Sequence, residues 1–149
     1  MTDDTLRSVT LRRTSLGQYE VRNARGGTMT VGVGEGTDFT PVELLLAALG
    51  GCTGADVDYI TSKRAEPDSF VVHVTADKVR DAAGGNRLVN LAVELRVTFP
   101  EGAAGDAARA VLPRAAQMSH DRLCTVLRTV ELGTPVDTRT EPPGPDSPA

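Results

Sequence analysis

Thr40-Pro41-Val42-Glu43-Leu44-Leu45-Leu46-Ala47-Ala48-Leu49-Gly50-Gly51-Cys52-Thr53-Gly54-Ala55 is the stretch on which the fold turns. Its first four residues make a helix start. Thr40 offers a capping hydroxyl, Pro41 stands where a missing N–H costs nothing, and Glu43 falls at the capping-box position. The spacing predicts a helix from here to about Ser62. Its first half is apolar all round, which calls for burial on nearly every side. A chain of 149 residues is one compact domain and has difficulty surrounding a whole helix by itself. A second subunit is the economical cover. Gly50, Gly51 and Gly54 each cost on the order of 1 kcal/mol against Ala inside a helix. Tolerating three predicts close packing against the backbone around Cys52.

Upstream of this helix, three short alternating runs predict a strand meander. Residues 8–14 place Val9 and Leu11 on one face, residues 18–23 carry Tyr19 and Val21, and Met29, Val31 and Val33 follow. Downstream lies a long hairpin. From Phe70, the residues Val72, Val74 and Ala76 point one way against His73, Thr75 and Asp77. From Leu91, the residues Val93, Leu95, Val97 and Phe99 alternate with polar neighbours, and residues 81–86 join the two runs. A second helix is expected from Ala107, Val111, Ala115 and Met118, with Pro113 kinking or restarting it. Ser119 is a candidate cap for a following turn, which puts Cys124 early in a short helix ending near Val130. A last strand is expected within residues 132–139. Because strands cluster instead of alternating with helices, the fold class is α+β, not a doubly wound parallel sheet. Residues 1–140 read as a single domain, and the Pro-rich segment 141–149 as a disordered C-terminal tail.

Composition narrows the function classes. Aromatics are only 3% and Trp is absent, so the core must come from Leu, Val and Ala. A net charge of −4 with no Lys/Arg cluster argues against nucleic acid and anionic membrane as partners. The acidic, polar N-terminus is no secretory signal and no apolar run reaches spanning length, so a cytoplasmic location is expected. Two cysteines in a reducing compartment are transient, catalytic or redox-sensing partners, or else small buried hydrophobes.

The order of elements, with the stretch from Thr40 to Thr53 and Met118-Ser119-His120-Asp121-Arg122-Leu123-Cys124-Thr125-Val126, resembles the OsmC/Ohr family (osmotically inducible protein C and organic hydroperoxide resistance). The first motif of that family is a Pro-x-Glu-Leu-Leu-x-Ala-Ala-Leu-Gly-x-Cys helix start. Its second is a cysteine roughly seventy residues later, and Cys124 follows Cys52 by 72 positions. The likeness runs from about Val9 to Leu132 and is nearer the broader OsmC-like branch than the hydroperoxide-resistance branch. It implies antiparallel strands wrapped around central helices in an intertwined homodimer. It also implies an organic hydroperoxide substrate and a dithiol reductant such as dihydrolipoamide.

That chemistry assigns roles. A peroxidatic cysteine attacks as a thiolate, becomes a sulfenic acid and condenses with a second thiol. Cys52 is the expected attacker, in its small-residue patch, and Cys124 the resolver. The resemblance gives Glu43 an active-site role. Glu43 precedes Cys52 by nine positions, roughly 13.5 Å along a helix and on its opposite side, so it could serve only the partner's thiol. Its other role is the capping box, and the two are compatible. The family also implies an Arg from the first hairpin. The turn here reads Thr14-Ser15-Leu16-Gly17-Gln18 without one, so Arg13 is the candidate, with Arg12, Arg22 and Arg25 nearby.

The other polar groups suggest less. His73 reads as part of a solvated strand face. Cys52, Cys124 and His120 lack the CxxC or HxxxH spacing of a metal site, so neither metal nor cofactor is expected. Adjacency excludes a triad of Ser119, His120 and Asp121. Two further readings stay open. One is a non-enzymatic module holding a small apolar or lipid-like ligand, and the other is a redox sensor.

Overall fold

A computed structural model of the chain describes residues 5–140. Strands β1 (Val9–Ser15), β2 (Gln18–Asn23) and β3 (Thr28–Val31) form an antiparallel sheet in that order. Leu11 pairs with Val21 and Val21 with Met29, while Arg13 pairs with Tyr19 and Tyr19 with Val31. Side chains alternate across a sheet, so these residues and Val9 share one face, and Thr10, Arg12, Glu20, Arg22 and Thr30 share the other. The sheet is therefore amphipathic. Yet every residue of β1 is exposed, with Val9 61% and Leu11 53% accessible. Among the described residues, the sheet makes no extended contact with the helices or the other strands. A parallel bridge between Val31 and Phe39 ties it to the segment that enters the first helix.

Helix α1 (Pro41–Thr61) begins as its sequence dictates. Glu43 N–H donates to Thr40 Oγ1 (3.3 Å) and Thr40 N–H donates to Glu43 Oε2 (2.8 Å), closing the capping box. Strands β4 (Ser69–Arg80) and β5 (Asn86–Thr98) then form a long antiparallel hairpin. Phe70, Val72, Val74 and Ala76 on β4, and Leu91, Val93, Leu95 and Val97 on β5, are its more buried set, the alternation expected from the sequence.

The helix meets this hairpin through glycine. A Cβ at Gly50 would lie 2.7 Å from Val74 Cγ2, and one at Gly54 would lie 3.1 Å from Val72 Cγ2. The close packing predicted from the glycines is real, but it falls on the face opposite Cys52. Gly51 meets nothing within 4 Å. Ala48, Gly51 and Ala55 instead make an exposed strip of small residues, and Val42 and Leu45 in the first turns are exposed as well. One chain leaves this all-apolar helix uncovered along one side.

Helix α2 (Ala103–Met118), a π-helical turn (Ser119–Leu123) and helix α3 (Thr125–Leu132) close the other side of α1. The core lies between them, with Val57, Thr61, Ala108, Ala115, Ser119 and Cys124 fully buried.

Four expectations need correction. Pro113 does not restart α2, which continues through it to Met118. The buried stripe of α2 is Gly105, Ala108 and Ala115, while Ala107 and Met118 are exposed, because the helix is rotated from the face its larger apolar residues suggest. Ser119 does not cap a turn: its hydroxyl is engaged elsewhere, and Cys124 itself caps α3. Residues 134–140 form no strand; Pro135 lacks an N–H, and Val136 is 88% exposed with nothing to pair against. The proposed tail at 141–149 lies outside the described residues. Among the described residues, no helix is long and apolar enough to cross a membrane.

Candidate functional site

Three elements bring Cys52 and Cys124 together. Cys52 is half-buried in the middle of α1, beside the exposed strip of Ala48, Gly51 and Ala55. Cys124 is fully buried at the junction of the π-helical turn and α3. Asp56 follows Cys52 by one helical turn and so shares its face. The two Sγ atoms and a carboxylate oxygen of Asp56 all lie within 4.8 Å of one another. Both cysteines are free thiols.

Cys124 and Asp56 are each held by donors. Cys124 has extended backbone dihedrals as the N-cap of α3, and its Sγ accepts from Leu127 N–H (3.3 Å) and Thr53 Oγ1 (3.7 Å). Ser119 donates its buried hydroxyl to Asp56 Oδ2 (2.8 Å). The wide turn at 119–123 sets Ser119 under Asp56 and delivers Cys124 five positions later; π-helical turns of this kind gather at functional sites. Burial pushes the Cys52 thiol above its ordinary value, and the Cys124 thiol and the Asp56 charge push the same way, opposed by a hydrogen bond from the Val126 backbone.

A cavity of about 350 Å³ opens beside this group, between α1, β5, α2 and α3. Its walls are mainly apolar, including Leu49, Leu91, Val93 and Leu95. Thr53 and Leu127, the two residues that donate to Cys124 Sγ, also line it. The cavity thus lies next to Cys124, with Thr53 and Leu127 between it and the buried sulfur, and neither cysteine lines it. His120 stands at its polar rim, bonded to Asp121 (3.1 Å) and Glu131 (3.1 Å), which raise the imidazole above its usual range.

The remaining candidates stand apart from the sulfurs. Glu43 is exposed at the start of α1 and occupied in its capping box. Arg13 is on β1, in the other sheet, on the apolar face beside Leu11. Arg22 pairs with Glu20 (3.3 Å) on the polar face. His73 is exposed and lies opposite Glu94, as its strand position suggested. His120 does not join the cysteines; Asp56 takes the third place. Sequence reasoning missed Asp56, although the spacing Cys52-x-x-x-Asp56 puts both on one face of a helix. It also missed Ser119 as the partner of Asp56, for which no local pattern gave a sign.

The model of the family described as OsmC-like protein matches residues 34–139, which contain both cysteines. The chain belongs to the OsmC-like family. Solved structures carry the same fold. An OsmC-like protein of unknown function from Vibrio cholerae superposes with a TM-score of 0.70 at 14% identity, over 85% of this chain and 94% of its own. A hypothetical protein from Aquifex aeolicus VF5 gives 0.68 at 22% identity, over 87% and 89%. The organic hydroperoxide resistance protein OhrB of Bacillus subtilis gives 0.53 at 16% identity, over 83% and 90%. No curated protein matches. At these identities the likeness is one of fold, an OsmC-like α+β arrangement.

Proposed function

We propose that this OsmC-like protein is a thiol-dependent peroxidase that reduces organic hydroperoxides through Cys52 and Cys124. The observation that carries the reading is the approach of the two sulfurs, 72 positions apart in sequence yet within 4.8 Å of one another. Half-buried Cys52, beside an exposed strip of small residues, is the accessible thiol. Its thiolate attacks the terminal peroxide oxygen, the O–O bond breaks, and the leaving alkoxide takes a proton to become the alcohol. The Cys124 thiolate then attacks the sulfenic sulfur, the S–S bond forms and water leaves. A disulfide needs about 2.05 Å between sulfurs, a shift that the short α3 and the π-helical turn before it are placed to make. A small dithiol of the dihydrolipoamide type restores both thiols, and a reducing cytoplasmic compartment keeps them free.

The working unit in this reading is a homodimer of single domains spanning residues 1–140. Two uncovered apolar surfaces support it: the face of β1–β3 that carries Leu11, Val21 and Met29, and the exposed side of α1. Arg13 projects from the first of these and Glu43 stands at the head of the second. In a dimer both would serve the partner's Cys52, Arg13 supplying the positive charge that the thiolate lacks within one chain.

The test is intact mass and free-thiol count after one equivalent of cumene hydroperoxide. Wild type should lose both thiols to an intramolecular disulfide, Cys124→Ser should trap a sulfenic acid, and Cys52→Ser should be inert. Thiols that stay reduced in folded protein would sink the peroxidase reading. The mostly apolar cavity supports a second reading, a module that binds a small apolar ligand without turnover. Binding that survives in Cys52→Ser, with no turnover in wild type, would favour it.

A further inference from the structure

Among the described residues of one chain, Cys52, Cys124 and Asp56 form a cluster with hydrogen-bond donors and no counter-charge. Thr53 Oγ1 and Leu127 N–H donate to Cys124 Sγ and Ser119 Oγ to Asp56 Oδ2, and the nearby Val126 backbone acts on Cys52 in the same sense. All of these favour the anionic forms of the groups they reach. The charges that act on Cys52 nevertheless come from Cys124 and Asp56, both of the same sign, with no Lys or Arg among them. Three anion-forming donors within 4.8 Å of one another, with no cation from their own described residues beside them, are arranged as metal ligands are. The pair Cys52 and Asp56, four residues apart on α1, presents two of them on one face, and Cys124 comes in from across the core.

We propose that the reduced protein binds one thiophilic divalent ion, Zn²⁺ foremost, through Cys52 Sγ, Cys124 Sγ and the Asp56 carboxylate. Two sulfurs and one oxygen suit zinc, and three protein ligands leave a fourth tetrahedral position for water or an added thiol. With Zn–S near 2.3 Å and Zn–O near 2.0–2.2 Å, tetrahedral donors lie about 3.5–3.8 Å apart. From separations within 4.8 Å, the three groups need draw together by roughly an ångström. His120, turned to Asp121 and Glu131, has no part in the site. Metal and disulfide compete for the same two sulfurs, so the ion would hold the pair reduced. Binding does not depend on peroxidase turnover and stands or falls separately from it.

The experiment is an anaerobic titration of the full-length, reduced, chelator-treated chain with Co²⁺, followed by its displacement with Zn²⁺. One equivalent of Co²⁺ should produce a sulfur-to-cobalt charge-transfer band and the intense visible bands of a tetrahedral site, and Zn²⁺ should abolish both. Cys52→Ser, Cys124→Ser and diamide-oxidised wild type should show no charge-transfer band of that strength. Ser119→Ala should bind about 10- to 100-fold more weakly, Asp56→Asn more weakly still, and His120→Ala as wild type. Because the cysteine variants could fold poorly, thermal unfolding supplies a second reading: zinc should raise the midpoint of wild type and not that of Asp56→Asn. Reduced wild type that gives no charge-transfer band overturns the proposal. So does affinity unchanged in Asp56→Asn, which would reduce the site to an adventitious dithiol.

Discussion

At Cys52 the local chemistry sets the direction of a pH dependence. Burial is the largest influence on its thiol, followed among the raising effects by Cys124 and Asp56, and all three favour the protonated form. In reduced, chelator-treated protein separated from its partner, alkylation of Cys52 should rise with pH to a midpoint above the ordinary thiol range of about 8.5. Asp56→Asn should bring that midpoint down, with peptide mapping by mass reporting the site. A midpoint at or below the ordinary range in the assembled protein would mean that a cation from outside the chain acts on the sulfur, as proposed for the partner's Arg13. The same shift enters stability with a definite sign. A folded-state pKa raised above the unfolded one contributes stability that is complete below the unfolded value and lost as pH rises through the folded value. The sequence made the two cysteines legible because their motif is long. It left Ser119 obscure because its bond to Asp56 spans 63 positions, which no local pattern encodes, whereas Asp56 stood in plain sight one helical turn from Cys52.

Among the elements, those specified by local chemistry were the readable ones. The start of α1 was legible in four residues because a capping box is a contact between neighbours in sequence. The hairpin of β4 and β5 was legible because strict alternation fits one half-buried strand pair. Helix α2 and the final segment depended on packing instead, and there propensity misled. Small Ala108 and Ala115 took the buried face where α2 packs on α1, and Gly105 joined them because the Pro100 backbone leaves no room for a Cβ there. Two substitutions test this account by denaturant unfolding. Thr40→Ala removes one arm of the capping box and should cost about 1 kcal/mol. Gly50→Ala gains helix propensity but drives a methyl to 2.7 Å from Val74 Cγ2, and overpacking of about 1–3 kcal/mol should outweigh a gain of about 1 kcal/mol. Val74→Ala in the same chain should recover part of that loss. Stabilisation by Gly50→Ala alone would show that the sheet yields where the structure holds it fast.

For the whole molecule, the question is what covers its apolar surfaces. Leu11 and Met29 stand on one face of the β1–β3 sheet with Val21 between them, Val42 and Leu45 are part-exposed in the first turns of α1, and Ala48, Gly51 and Ala55 form its open strip. The sheet is patterned for burial on one side, yet the described residues offer it no helix to pack on. The regular alternation leaves Val9, Leu11 and Met29 of the apolar face exposed, the surface on which the dimer proposed above would close. A second copy is the partner that needs nothing else, since each chain brings both an uncovered sheet and an uncovered helix. Sedimentation equilibrium should therefore give twice the 15.7 kDa of one chain. Leu11→Asp puts a charge on the sheet face at a side chain that is already 53% exposed within its own chain, so the fold of one chain should tolerate it. The mass should fall toward that of one chain while circular dichroism stays near wild type. If Arg13 and Glu43 serve the neighbouring Cys52 as proposed, hydroperoxide turnover should fall with it. A wild-type mass of 15.7 kDa would remove the cross-subunit roles of both residues and leave the thiol pair to work with the groups of its own chain.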